Sequence, residues 1–266
     1  MSLALALLMG AGLAGRGACA GSEADLKSAA TALDDGRGAD GERLVALVLA
    51  VNPDCPDAIV LHGRILDREG RPREARAAFE KAVRLAPANA EARYQLGLWL
   101  YRHQLHAEAV PHFAKAIARR PRDARAHVHL ALSREGLGDP ERAEVAYRAA
   151  LRVNEGPFRD GFLDYYYGRF LLKQDRLEES RSYLDRAVAL HPDERAVRYE
   201  RGKLSLARKD YPAARQDAEA ALALSDPAGL VLDLQVYYLL ATVYARLGET
   251  ELARKYAELS RSTEAR

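Results

Sequence analysis

The sequence predicts an all-α chain, an α-solenoid of about seven stacked helix-turn-helix hairpins, and three observations carry that expectation. Small residues recur at a fixed interval: Gly63, Gly97 and Ala131 stand 34 residues apart, and Gly168 and Gly202 resume the same spacing. Three further columns keep step with the first. They are Ala75, Ala109, Ala143, Ser180 and Ala214; Ala82, Ala116, Ala150, Ala187 and Ala221; and Pro53, Pro87, Pro121 and Pro192. Each period also holds two helical patterns separated by turn residues. Columns that share one period mark units that bury surface only against their neighbours, an array rather than a globule built on one core.

The N-terminal segment differs from the rest. Leu3 to Met9 is an apolar run that extends, with breaks, to Ala14. It is too short to span a bilayer, and Ala18-Cys19-Ala20 offers a small-x-small cleavage site. Residues 1–20 therefore read as a secretory signal peptide cut after Ala20, which makes the protein exported, periplasmic or secreted. A bacterial lipoprotein signal at Cys19 is the alternative, although Arg16 stands where such signals carry an aliphatic residue. If the segment is not a leader, the chain is a cytoplasmic adaptor. After either cut Cys55 has no thiol to pair with, so no internal disulfide is expected.

From residue 21 onward the periods run approximately 22–55, 56–89, 90–123, 124–157, 161–194, 195–228 and 234–261, the first being degenerate with Ala29, Gly41 and Val48 in the small columns. In the second period Ala58 to Glu69 reads as one helix and Arg73 to Leu85 as the next, with Gly70 as a left-handed stop between them and Pro87 closing the unit. Asn89 and Asp123 are N-caps. Gly138-Asp139-Pro140 combines a stop, a cap and a first-turn proline, and Asp175 with Glu178 has capping-box spacing. Residues 158–160 and 229–233 are insertions between periods. A glycine inside a helix costs about 1 kcal/mol against alanine. The glycine column therefore implies a compensating close approach, which we place between Gly63 and Ala75, Gly97 and Ala109, and Gly202 and Ala214. Phe79, Phe113, Tyr147 and Leu184 fill the space around these contacts.

The run Leu96-Gly97, Ala109, Phe113, Ala116 and Pro121 resembles the tetratricopeptide repeat, and the likeness extends over nearly the whole chain after residue 20. Arg198, Arg201 and Ser205 depart from it, because they occupy columns that are usually apolar; tight packing of the sixth repeat is in doubt on that account. The resemblance implies a right-handed superhelix in which the first helix of each hairpin lines a concave groove that holds a protein or peptide partner.

On those first helices the stripe beside the core face reads Val60, Tyr94, Val128, Tyr165, Tyr199 and Tyr238, then Arg64, Leu98, Leu132, Arg169, Lys203 and Thr242, then Arg68, Arg102, Gly136, Lys173, Ala207 and Arg246. Tyr101 lies beside it, and Phe162 projects to the groove side of an aromatic patch over Pro157 to Phe170 that also holds Phe158, Tyr165, Tyr166, Tyr167 and Phe170. Tyrosine supplies contact area at low entropic cost, and arginine grips carboxylates in two-pronged fashion. The candidate binding residues are therefore Arg64, Arg68, Tyr94, Tyr101, Arg102, Phe162, Tyr165, Arg169, Lys173, Tyr199, Lys203 and Tyr238, facing an extended acidic and apolar segment. The asparagines of the family's chaperone-tail clamp are missing.

A formal net charge of +2 with interspersed signs argues against nucleic acid, which needs a basic face. Membrane contact is expected only through a lipid on Cys19. His103, His106, His112, His127 and His129 lack the spacing of a metal site, and no nucleophile elbow or phosphate loop is present. No cofactor, small-molecule substrate or enzymatic activity is expected. Trp99 and His62 read as core positions. Tyr256 and Leu259 of the last helix are candidates for self-association.

Overall fold

A computed structural model describes residues 19–154, 161–226 and 229–264. The expected leader up to residue 18, and Phe158 with the insertion around it, lie outside the described residues. The chain divides into two compact units, Met1–Val153 and Asn154–Arg266. In the first, four hairpins follow one another: α1 (Glu23–Asp34) with α2 (Gly38–Val51), α3 (Pro56–Arg68) with α4 (Pro72–Leu85), α5 (Ala90–Arg102) with α6 (His106–Arg119), and α7 (Ala124–Gly136) with α8 (Pro140–Val153). The second holds α9 (Gly161–Lys173) with α10 (Leu177–Leu190), α11 (Arg195–Ala207) with α12 (Tyr211–Ala223), and α13 (Asp233–Leu247) with α14 (Thr250–Glu264). There is no strand among the described residues. Within each unit the hairpins stack in chain order, so the molecule is a helical repeat solenoid.

The local signals explain where helices begin. Asn89 Oδ1 accepts from the N–H groups of Glu91 and Ala92 at 3.0 and 3.1 Å, and Asp123 accepts from Arg125 N–H at 3.1 Å. Asp139 receives Arg142 N–H at 3.2 Å ahead of the first-turn Pro140. α3 begins two residues before the expected Ala58, because Cys55 acts as its cap and takes the Ala58 N–H on Sγ at 3.4 Å. The expected capping box at Asp175 and Glu178 does not form. Asp175 is in the left-handed region at φ 58°, the cap position is Arg176, and its side chain pairs with Glu179 at 2.7 Å instead.

That left-handed turn is itself a repeat column. Gly36, Gly70, Gln104, Gly138, Asp175, Lys209 and Gly248 all have positive φ, between 58° and 80°. Each hairpin makes the same reversal whether or not a glycine is there, so Gln104, Asp175 and Lys209 hold a conformation that their Cβ disfavours.

The glycine column faces a different partner from the one expected. A Cβ on Gly63 would stand 2.7 Å from the Phe79 ring, one on Gly97 2.9 Å from Phe113, and one on Gly168 2.8 Å from Leu184. The glycines make room for the bulky residue of the second helix, not for the alanines, and Phe79, Phe113 and Leu184 are buried as a result. In the sixth hairpin that bulky residue is replaced by Ala218, and Leu239 of α13 comes closest to Gly202, at 3.2 Å from the Cβ position.

The same hairpin resolves the doubt over Arg198 and Arg201. Both reach Asp217 of α12, Arg198 at 3.2 Å and Arg201 through two bonds of 2.7 Å, and the carboxylate is buried. Polar residues in apolar columns are tolerated because a buried acid on the facing helix pairs with them.

Three further expectations change. His62 is exposed, because α3 buries Ile59, Val60, Leu61, Gly63, Ile65 and Leu66 and turns His62 outward. Tyr256 is half-buried and stacks on Tyr244 at 5.6 Å, and Leu259 is also half-buried, so neither is freely presented. Most consequentially, Cys19 and Cys55 form a disulfide, their Cα atoms 4.9 Å apart. Pairing was ruled out only because Cys19 was assigned to a discarded or lipidated segment; the first hairpin folds back and sets it on the start of α3. Trp99 is buried as expected.

Two stability outcomes follow from this packing. Lys209→Gly relieves the left-handed strain at an exposed turn and should raise the urea midpoint, a gain of about 0.5–1 kcal/mol. Asp217→Asn should cost about 3 kcal/mol, since it removes the buried charge that Arg198 and Arg201 share, whereas replacing Asp217, Arg198 and Arg201 together by leucine should recover most of that loss.

Candidate partner-binding cleft

Consecutive first helices lie side by side in the first unit, and α1, α3, α5 and the start of α7 enclose a cleft of about 400 Å³. Four of the candidate residues line it: Arg64, Arg68, Tyr94 and Arg102. Tyr94 forms its floor, only 5% exposed. Its ring lies 6.0 Å from that of Phe113 and 5.6 Å from that of His129, and the Arg125 guanidinium covers it at 4.7 Å. Burial pushes the Tyr94 phenol up to about 12, so it stays a neutral hydroxyl. Val60, Leu61 and Leu98 add apolar wall.

The cleft's arginines are already engaged across the helix rows. Arg64 pairs with Asp34, Arg102 with Asp67 at 3.3 Å, and Arg125 with Glu91 at 3.3 Å and with Asp123 at 2.9 Å. Arg68 donates to the Leu33 carbonyl. The lining therefore sets Asp34, Asp67 and Glu91 against Arg64, Arg68, Arg102 and Arg125, a nearly balanced ladder. Each of these pairs has at least one half-exposed or exposed partner, and such pairs contribute about 0–1 kcal/mol, so an incoming carboxylate or cation can displace one at small cost.

Sequence reasoning missed Asp34, Asp67, Glu91 and Arg125. A signal existed: the pairs Asp34–Arg64, Asp67–Arg102 and Glu91–Arg125 are separated by 30, 35 and 34 residues, about one repeat, so charges one period apart meet across adjacent first helices. Tyr101 is not in the cleft; it is half-buried, with its ring 5.5 Å from His106 and 5.7 Å from His129.

The other candidates belong to the second unit. Tyr165 is 5% exposed, against Tyr166 at 5.0 Å and under Arg169 at 5.7 Å, and burial pushes its phenol up to about 12. Tyr199 and Lys203 are half-buried together, the ammonium 5.3 Å from the ring centre, and Lys203 also pairs with buried Glu200 at 2.9 Å. Phe162 packs on His191 at 4.6 Å. Lys173 is exposed, and Tyr238 is 70% exposed. Here the stripe is two cation–aromatic pairs and one bare ring, rather than an enclosed cleft.

The sequence pattern of the tetratricopeptide repeat matches residues 60–124, 100–160, 129–195 and 168–229, and a second pattern of the same name matches 234–260. The chain belongs to the tetratricopeptide repeat family. No curated protein matches it. Among solved structures it is similar to PilW, described as a widely conserved type IV pilus biogenesis factor, at 18% identity and a TM-score of 0.69, covering 79% of this chain and 94% of that one. A tetratricopeptide repeat protein from Parabacteroides merdae gives 17% identity and 0.63, with 91% and 92% covered. YrrB, described as having an unusual peptide-binding site, gives 19% identity and 0.52, with 67% and 91% covered. At these identities the likeness shows the fold.

A pH dependence follows from two imidazoles of the first unit, His129 against the Tyr94 ring and His112 in a separate depression with Leu96 and Leu100. Burial holds His129 below the ordinary histidine range and His112 down at about 4. Between pH 6.5 and 4 the unfolded chain binds protons at these sites that the folded chain does not, so stability falls as pH drops through that window. The melting temperature should be lower at pH 5 than at pH 7, and His112→Gln should reduce the difference.

Proposed function

We propose that this tetratricopeptide repeat protein is a non-enzymatic scaffold that holds an extended segment of a partner protein in the cleft of its first unit, within an exported or envelope complex. The family supports protein–protein interaction as the general role. The observation that carries the finer reading is the 400 Å³ cleft floored by Tyr94 and walled by Arg64, Arg68 and Arg102. It offers an aromatic floor, aliphatic walls and charge pairs that open at low cost. The partner segment is apolar with carboxylates spaced to take over from Asp34, Asp67 or Glu91, and complementary charges would fix its register. Export is supported by the leader-like residues 1–20, and by the likeness to a pilus biogenesis factor. Among the described residues no helix is long and apolar enough to cross a membrane.

A photo-crosslinking side chain placed at Gln95, which lines the cleft, should capture one partner in the native cells, while the same group at exposed Val145 on α8 should not. The Arg64→Ala, Arg102→Ala double variant should weaken that capture by roughly tenfold with helicity unchanged. Equal capture at both positions, or an unaffected double variant, would remove this reading.

A further inference from the structure

We infer that Cys19 is retained in the working protein as a disulfide to Cys55, so that processing stops before Cys19 and the bond clamps the helix that carries one wall of the cleft. Three fates compete for this one sulfur atom. Cleavage after Ala20 discards it, a lipid thioether occupies it, and the disulfide uses it; each excludes the others.

The surroundings favour the third. The Cα atoms are 4.9 Å apart, inside the span a disulfide bridges. Cys19 is 7% exposed and Cys55 0%, and both belong to one apolar cluster with Leu26, Leu33, Val45 and Leu61. The Cys19 carbonyl accepts the N–H of Ser22, the residue that precedes α1, at 3.1 Å. A lipid chain would have to leave a site that is already packed, and removal of Cys19 would strip the cover from Cys55.

The need for a staple is also local. Among the described residues no hairpin precedes the first, and a repeat in such an array is stabilised by its contacts with its neighbours. Neither α1 nor α2 has a side-chain cap, and Leu47 and Val51 of α2 are exposed. Yet α1 brings Asp34 to Arg64 and the Leu33 carbonyl to Arg68. The disulfide ties the start of α1 to the start of α3 across a separation of 36 residues, which restricts the unfolded chain. It forms by exchange with an oxidoreductase disulfide. One cysteine thiolate attacks a donor sulfur to give a mixed disulfide and one donor thiol; the second thiolate then displaces the other donor sulfur. Two protein thiols are oxidised and the donor ends as a dithiol. Such donors act outside the reducing cytosol, so the inference shares its compartment with the proposed function.

The test is alkylation of the protein in fractionated native cells, then non-reducing peptide mapping and intact mass. The expected result is a linked peptide pair containing Cys19 and Cys55, with alkylation of either only after reduction. An exported chain beginning at Gly21, a lipid on Cys19, or two free thiols in an exported chain overturns the inference while leaving export standing. A linked pair in a cytosolic chain supports the bond between Cys19 and Cys55 but overturns the processing step and sinks export, and free thiols in a cytosolic chain sink both. For the clamp itself, the Cys19→Ser, Cys55→Ser variant should melt roughly 5 °C or more lower and lose hydrogen-exchange protection first over 23–51; unchanged protection there overturns the clamp.

Discussion

The close approach of paired helices rests on one steric trade: a missing Cβ on the first helix admits a bulky side chain from the second. Gly63 with Phe79, Gly97 with Phe113 and Gly168 with Leu184 repeat it. Each glycine sacrifices helix propensity of about 1 kcal/mol, and burial of a phenylalanine or leucine side chain, at about 1.5–3 kcal/mol, more than offsets it. The trade also fixes rotation. A helix held by its glycine face against its partner must turn its next stripe toward the neighbouring first helix, and that is how the cleft residues come to lie in rows. Where the bulky member is lost, at Ala218, the sixth hairpin borrows Leu239 from its neighbour and adds a buried charge cluster at Asp217. The hairpin survives because the space is filled and the charges are paired, not because the pattern is kept.

Stacking at a constant interval has an electrostatic consequence. An acid and a base about one period apart on the facing stripes of adjacent first helices come within reach, which is what joins Asp34 to Arg64, Asp67 to Arg102 and Glu91 to Arg125. A cleft built this way is polar without being strongly charged. Its affinity for a partner depends on exchange of one ion pair for another, which costs little, together with the apolar contact around Tyr94 and Leu98. Selectivity then follows from the spacing of the partner's charges against the spacing of the helices.

The repeat architecture was legible because it depends on residue size at fixed intervals, and a sequence states size directly. Caps at Asn89, Asp123 and Asp139 were legible for the same reason: they are local. What failed was whatever needed orientation. Both Ala75 and Phe79 lie on the inner face of α4, and only coordinates show that the ring, not the methyl, meets Gly63. Tyr94 and Tyr165 stand on first helices, but their depth was not legible, because burial there depends on the rings and guanidinium groups that cover them. Asp175 carried a cap's chemistry, yet the turn geometry common to all seven hairpins overrode it. Asp217 was overlooked because a lone acid in an alanine-rich helix has no pattern until its arginines are seen.

The site's weakest support is at its N-terminal edge. α3 and α5 each lie between two first helices, whereas among the described residues α1 has only α3 beside it in that row, and it contributes Asp34 and the Leu33 carbonyl to the wall. A loosened α1 would free Arg64 and Arg68 together, and the cleft would change from a balanced ladder to a basic one at that end. Recognition of a partner's register therefore depends on how firmly the first hairpin is fastened. The other described hairpins are secured by shape and by ion pairs, whereas the first adds a covalent bond between Cys19 and Cys55 that fastens the start of α1 to the start of α3.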